Sequence, residues 1–102
     1  MDKLKNHYQL YINGEWKAGS EDQVMQSHNP HNNQAWASFD CANKEDIDLA
    51  VKSARSALSN PIWKSMTATE RGKLIFKLAD LIEQNAEKMG SIETQDSGKL
   101  LA

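Results

Sequence analysis

A chain of 102 residues supplies one small domain's worth of sequence, near the lower end for independent stability. Its 12 basic and 14 acidic side chains leave a net charge of −2, so no basic field is available to hold a phosphate backbone, which argues against nucleic-acid binding. The single cysteine, Cys41, rules out an internal disulfide, and a reducing, cytoplasmic compartment is the expectation; no apolar stretch approaches the roughly 18 residues needed to cross a membrane, and no apolar run follows Met1 to Asn6 as a signal peptide would require.

In chain order, residues 1–8 are polar and predicted to be a disordered tail. Residues 9–40 read as a β-hairpin and short strands. Leu10, Tyr11 and Ile12 are good strand residues, Asn13-Gly14 is a strong signal for a type I′ turn, and Glu15-Trp16-Lys17 begins the return strand. A loop with Gly19 and Ser20 follows, then a short strand over 24–27. Asn29-Pro30 turns the chain into a polar connection, and Ala35 to Phe39 alternates as another strand.

From residue 41 the pattern is helical, with helices predicted over about 44–59, 67–84 and 86–97. Asn43 is placed to cap the first, with Glu45 and Asp46 at its positive dipole end. Ile47, Ala50, Val51, Ala54 and Leu58 make one apolar stripe. Asn60-Pro61 ends that helix, and Ile62 and Trp63 are expected to anchor the connector to the core. Thr67 to Glu70 fits a capping box, and Leu74, Ile75, Leu78, Ala79 and Ile82 continue at helical spacing. Asn85 can stop this helix and cap the next, with Gly90 as an alternative break, and Gly98 sits where a glycine cap belongs. The apolar ending Leu100-Leu101-Ala102 has no polar closure and reads as a cut within a longer chain.

Few side chains suggest chemistry on their own. Cys41 precedes a helix, where a thiol can be activated, but only Lys44 is a nearby base, so a small turn residue is the plainer reading. His28 and His31 are too few for a zinc site, Pro30 between them prevents a helical arrangement, and His7 stands apart; solvated loop histidines are expected. Trp16, Trp36 and Trp63 could stack a ligand, but core anchoring is the commoner use of such residues. Glu45, Asp46, Asp48, Glu83, Glu87 and Glu93 fall on outward faces or caps rather than in a facing pair suited to acid–base work. No glycine-rich turn joins a strand to a helix in the way a pyrophosphate requires.

Several stretches in order resemble the N-terminal segment of the NAD(P)-dependent aldehyde dehydrogenases. Leu10-Tyr11-Ile12-Asn13-Gly14-Glu15-Trp16 is similar to the family's opening hairpin, and Asn29-Pro30 follows at the family's distance. Glu45-Asp46-Ile47-Asp48-Leu49-Ala50-Val51 resembles its first helix, with Trp63 beyond it. Glu70-Arg71-Gly72 and the run from Leu78 to Ala86 resemble its second, and Glu93-Thr94-Gln95-Asp96-Ser97-Gly98-Lys99 the close of its third. Each motif alone is weak; their order and spacing from Gln9 to Lys99 carry the resemblance. His31-Asn32-Asn33 replaces a frequent Thr-Gly turn and Leu100 a frequent proline, which blurs the subfamily.

The resemblance implies an α+β fragment of an α/β enzyme, belonging to its cofactor-binding domain. It implies oxidation of an aldehyde to an acid through a cysteine thiohemiacetal, hydride transfer to NAD or NADP and a glutamate-activated water. The family's catalytic cysteine, glutamate, oxyanion asparagine and dinucleotide-binding strands would lie beyond residue 102, so no catalytic or cofactor-binding residue is assigned here and the chain alone is expected to be inactive. Betaine aldehyde is one family substrate, and no residue here selects it. Many members also hold Na⁺ or K⁺ in the subunit; by resemblance Asp96 would give a carboxylate oxygen and His28 its main-chain oxygen, an incomplete set in this chain. The plainer reading of Asp96 is a solvated residue in a last helical turn. The implied partners are the remainder of the chain and, in a homo-oligomer, further copies. A free-standing helical interaction module derived from the same segment is the rival, non-enzymatic expectation.

Overall fold

The computed structural model describes residues 3–101. Five strands precede four helices: β1 (His7–Tyr8), β2 (Leu10–Ile12), β3 (Glu15–Lys17), β4 (Val24–Asn29), β5 (Gln34–Asp40), α1 (Lys44–Leu58), α2 (Pro61–Lys64), α3 (Ala68–Gln84) and α4 (Ala86–Ser97). β2 and β3 form an antiparallel hairpin with Tyr11 opposite Trp16, and the turn residues Asn13 and Gly14 have φ of 55° and 76°, as a type I′ turn demands. β1, β5 and β4 form a second sheet in that order, β5 being parallel to β1 and antiparallel to β4.

The tail predicted over residues 1–8 is therefore corrected in part. His7 pairs with Ser38 and Tyr8 with Phe39, and the Ser38 N–H donates to the Asn6 carbonyl at 2.9 Å; Met1 and Asp2 lie outside the described residues. The polar composition that suggested fraying serves a set of hydrogen bonds instead.

Local signals place the helix ends. Asn43 caps α1 and Thr67 caps α3, each in a reciprocal capping box with Asp46 or Glu70. Gly98 ends α4 with φ of 78°, and a β-carbon there would lie 2.9 Å from the Pro30 ring. α4 runs through Gly90 without a break. Asn85 stops α3 by donating from Nδ2 to the Leu81 carbonyl at 2.8 Å, but its side chain makes no cap for α4, so only half of its expected role is met. The connector holds the short helix α2, capped by Asn60.

Packing departs from the expectation at the residues expected to anchor the core. Ala37, Ser38, Asp40 and Asp46 are the buried residues among those described. On α1 the stripe of Ile47, Val51 and Leu58 is exposed, while the small residues Ala50, Ser53 and Ala57 line the gap toward the hairpin. Trp16 (63% exposed), Ile62 and Trp63 are likewise not core anchors, and α3 buries nothing. The cause is thinness: the molecule measures 49 × 38 × 17 Å with a radius of gyration of 17.3 Å, against about 13 Å for a compact domain of this length. Its accessible surface is 8489 Å², where a compact 11.5 kDa monomer has roughly 5,800 Å². A domain needs two packed layers, and the helices here have no second layer to pack on. Among the described residues no helix is long and apolar enough to cross a membrane.

Candidate functional site

Polar side chains converge in three places. The first joins the end of α4 to the β4–β5 sheet. Asp96 lies in the last turn of α4, where Gly98 closes the helix. The Ser27 hydroxyl on β4 and the Trp36 indole N–H on β5, at 3.2 Å, both donate to Asp96 Oδ1. Trp36 can do so because the ladder slips here. Ser27 pairs with Ala37 but His28 with Ala35, leaving Trp36 as the extra residue of a β-bulge, a device that re-aims a side chain. Both donors are neutral, and Asp96 forms no ion pair among the described residues; the nearby Lys99 pairs with Glu93 at 3.0 Å. Asp96 is exposed, and its carboxylate stands at the negative end of the α4 dipole without a protein cation.

The second cluster was not anticipated. Asp40, His7 and Ser38 are linked in series: His7 Nε2 to Asp40 Oδ1 at 2.8 Å and His7 Nδ1 to Ser38 Oγ at 2.7 Å. The order is that of a hydrolytic triad, but Ser38 is 0% exposed and its hydroxyl already accepts the Leu4 N–H at 2.8 Å, so no substrate can reach it. Both ring nitrogens of His7 thus have a hydrogen-bond partner, as do the Asp40 carboxylate and the Ser38 hydroxyl. The cluster clamps the amino-terminal strand to β5. Sequence spacing gave no signal for it, since His7 lies 31 residues from Ser38 and 33 from Asp40.

The third cluster centres on Asp46, 1% exposed. It accepts from the Ser20 hydroxyl, the Ser20 N–H at 3.1 Å and the Asn43 N–H at 3.0 Å. These bonds hold its carboxyl below the usual value of 3.8: the Ser20 hydroxyl acts most strongly, then the two backbone N–H groups, with Lys17 adding a little and burial opposing. Beside it, a β-carbon at Gly19 would sit 2.5 Å from the Cys41 carbonyl oxygen, so the loop can approach α1 only with glycine there. The role is to tie that loop to the helix.

The remaining candidates do not converge. Cys41 is a half-buried free thiol before α1. His28 and His31 are exposed, and no group of three or more His, Cys, Asp or Glu side chains able to hold a metal occurs among the described residues. Trp16 stacks obliquely on Tyr11 at 4.8 Å on the exposed side of the hairpin. For a dinucleotide the residues do not fit. Gly14 serves the hairpin, Gly19 the loop, Gly72 and Gly90 lie inside helices and Gly98 closes one, so none forms a phosphate-cradling turn at a helix N-terminus.

These features define an α+β unit with structural polar clusters and uncovered helix faces. The model of the aldehyde dehydrogenase family matches residues 16–102, and the chain belongs to that family. Among curated relatives, (Z)-2-((N-methylformamido)methylene)-5-hydroxybutyrolactone dehydrogenase of Acinetobacter baylyi is 38% identical over 94 residues, covering 92% of this chain and 19% of that protein. Among solved structures, a mutant aldehyde dehydrogenase of Bacillus cereus superposes with a TM-score of 0.89 at 41% identity, covering 94% of this chain and 20% of that one. A mutant betaine aldehyde dehydrogenase of Staphylococcus aureus in complex with NAD⁺ gives 0.87 at 33% identity, covering 91% and 19%. The chain therefore spans about a fifth of the length of the relatives it matches.

Proposed function

We propose that these residues are the N-terminal segment of a cytoplasmic, homo-oligomeric aldehyde dehydrogenase, a part of its cofactor-binding domain. The whole enzyme oxidises an aldehyde to a carboxylic acid with NAD or NADP. The observation that carries this reading is the surplus surface: 8489 Å² against roughly 5,800 Å² for a compact monomer, much of it on apolar helix faces. The surplus exceeds the whole area of a standard protein–protein interface, which is what a layer waiting for the rest of its own domain would present. The reaction's cysteine, glutamate and dinucleotide turn are assigned to the remainder of the enzyme, and the chain alone to scaffolding. Immunodetection of this segment in its source cells tests the reading. A subunit several times larger than 11.5 kDa is expected, and a stable native species of 11.5 kDa would sink it.

Asp96 and the main-chain oxygen of His28 are proposed to hold Na⁺ or K⁺ in the intact enzyme. The uncompensated carboxylate at a helix C-terminus fits a hard cation of low charge, and oxygen is the donor such an ion prefers. A bound ion would supply a fixed positive charge between α4 and the β4–β5 turn. Binding of Na⁺ or K⁺ lost in Asp96→Asn would support the assignment; equal binding by that variant would refute it.

A further inference from the structure

Asparagine is a labile residue, because the peptide nitrogen of the residue that follows can attack its side-chain carbonyl carbon. Hydrogen bonds on the carboxamide and on the following N–H oppose that attack, since both must break first. This structure distributes them unevenly. The side chains of Asn6, Asn29, Asn32, Asn43, Asn60 and Asn85 are each hydrogen-bonded. Among the described residues only Asn13 and Asn33 have carboxamides with no such bond. After Asn33 the next N–H is engaged, Gln34 donating to Asn32 Oδ1 at 3.0 Å. After Asn13 the Gly14 N–H makes no hydrogen bond, because the hairpin pairing stops at Ile12 and Glu15 on either side. Both turn residues are exposed, and the space where a Gly14 β-carbon would stand is empty to 4 Å. A side chain there would shield the nitrogen, and glycine has none. The positive φ angles of the type I′ turn select these two residue types, so the chemistry that builds the hairpin also leaves its amide open.

We propose that Asn13 is a site of spontaneous modification, converting to aspartate and isoaspartate through a cyclic imide. The Gly14 nitrogen bonds to Asn13 Cγ, the Cγ–Nδ2 bond breaks, and the Gly14 proton leaves with the amide nitrogen as ammonia. Water then opens the imide. Cleavage between Cγ and the Gly14 nitrogen leaves aspartate in an ordinary backbone. Cleavage between the main-chain carbonyl carbon and that nitrogen leaves isoaspartate, with the backbone routed through Cβ and Cγ. Either product adds one negative charge to a chain of net charge −2. The two differ in what they do to the fold. Asp-Gly suits the same type I′ turn, so aspartate keeps the hairpin. Isoaspartate lengthens a two-residue loop whose length sets Tyr11 opposite Trp16, so it loosens the hairpin. The hairpin and its turn lie wholly within these residues, and the inference does not rest on the reading of the whole enzyme.

Protein isolated from its source cells, held at neutral pH below its unfolding temperature and sampled over time, provides the test by peptide mass spectrometry. The amide of Asn13 is expected to be lost before that of any other asparagine, with aspartate and isoaspartate peptides both appearing. Loss at another asparagine first, or an Asn13 amide that survives as long as that of Asn33, would overturn the proposal. Amide exchange over residues 10–17 then separates the products. Aged protein is expected to contain a faster-exchanging population that Asn13→Asp lacks, and identical exchange in the two would overturn the loosening.

Discussion

The sheet with the loop and helix start packed on it, and the helical run from α2 to α4, are held by different means. Around the sheet, four residues are buried and three of them are polar: Ser38, Asp40 and Asp46. Each finds its partners inside the chain, in the Leu4 N–H, His7, Gly19 and Ser20. In α2, α3 and α4 no residue is buried, and Ile75 and Phe76 are 68% and 77% exposed. Hydrogen bonds have donors and acceptors that a short chain can supply by itself. Apolar stripes need a surface, and this chain does not supply one. The first region should therefore be sensitive to single substitutions in isolation, and the second only in the presence of what covers it.

Asp46→Ala should have the largest effect, because one change leaves two backbone N–H groups and a hydroxyl at Ser20 and Asn43 without their acceptor. Urea unfolding of parent and variant measures it. The same carboxyl sets an acid limit. Its folded pKa lies below 3.8, so its contribution is full above that pH and is lost as pH falls through the folded value. Acid titration of stability should show this fall in the parent and a flatter profile in Asp46→Asn. Gly19→Ala comes next, at about 1–3 kcal/mol, since the new methyl meets the Cys41 backbone rather than a yielding side chain. Denaturant midpoints for the two proteins would check it.

In the other region Thr67→Ala should cost about 1 kcal/mol of local helix stability, read as faster amide exchange in the first turn of α3 and not around the sheet. The smallest effect is expected from Leu78→Ser, within about 0.5 kcal/mol in this chain because Leu78 is already exposed. A loss of about 2–5 kcal/mol, the range for a buried leucine cut back in a core, would show that α3 is covered in solution.

What the sequence made legible follows the same division. The Asn13-Gly14 turn, the Asn43 and Thr67 caps and the Gly98 terminus each depend on residues a few positions apart, and each stands where its local chemistry put it. His7 with Asp40, Ser20 with Asp46 and Trp36 with Asp96 join positions 26 to 60 apart, and no spacing rule reaches that far. The periodicity of α1 and α3 identified an apolar face but carried no information about whether this chain covers it; Ile47 and Leu74 stand exposed on it. Asp96 was legible only through resemblance; its partner Trp36 depends on a bulge that alternation alone does not reveal.

The parallel pairing of β1 with β5 also orders events in time. β2 with β3 and β4 with β5 are hairpins whose strands are neighbours along the chain, and such contacts close early because little chain entropy opposes them. β1 must wait for β5 to exist and then bring residues 31 positions apart together, His7 beside Ser38. The amide of Ser38, bonded to the Asn6 carbonyl, is accordingly the proton that should gain protection last in the sheet during refolding. Until that moment one edge of β5 stays open, which makes the interval before β1 docks the stage at which this chain is most prone to pair with another like itself.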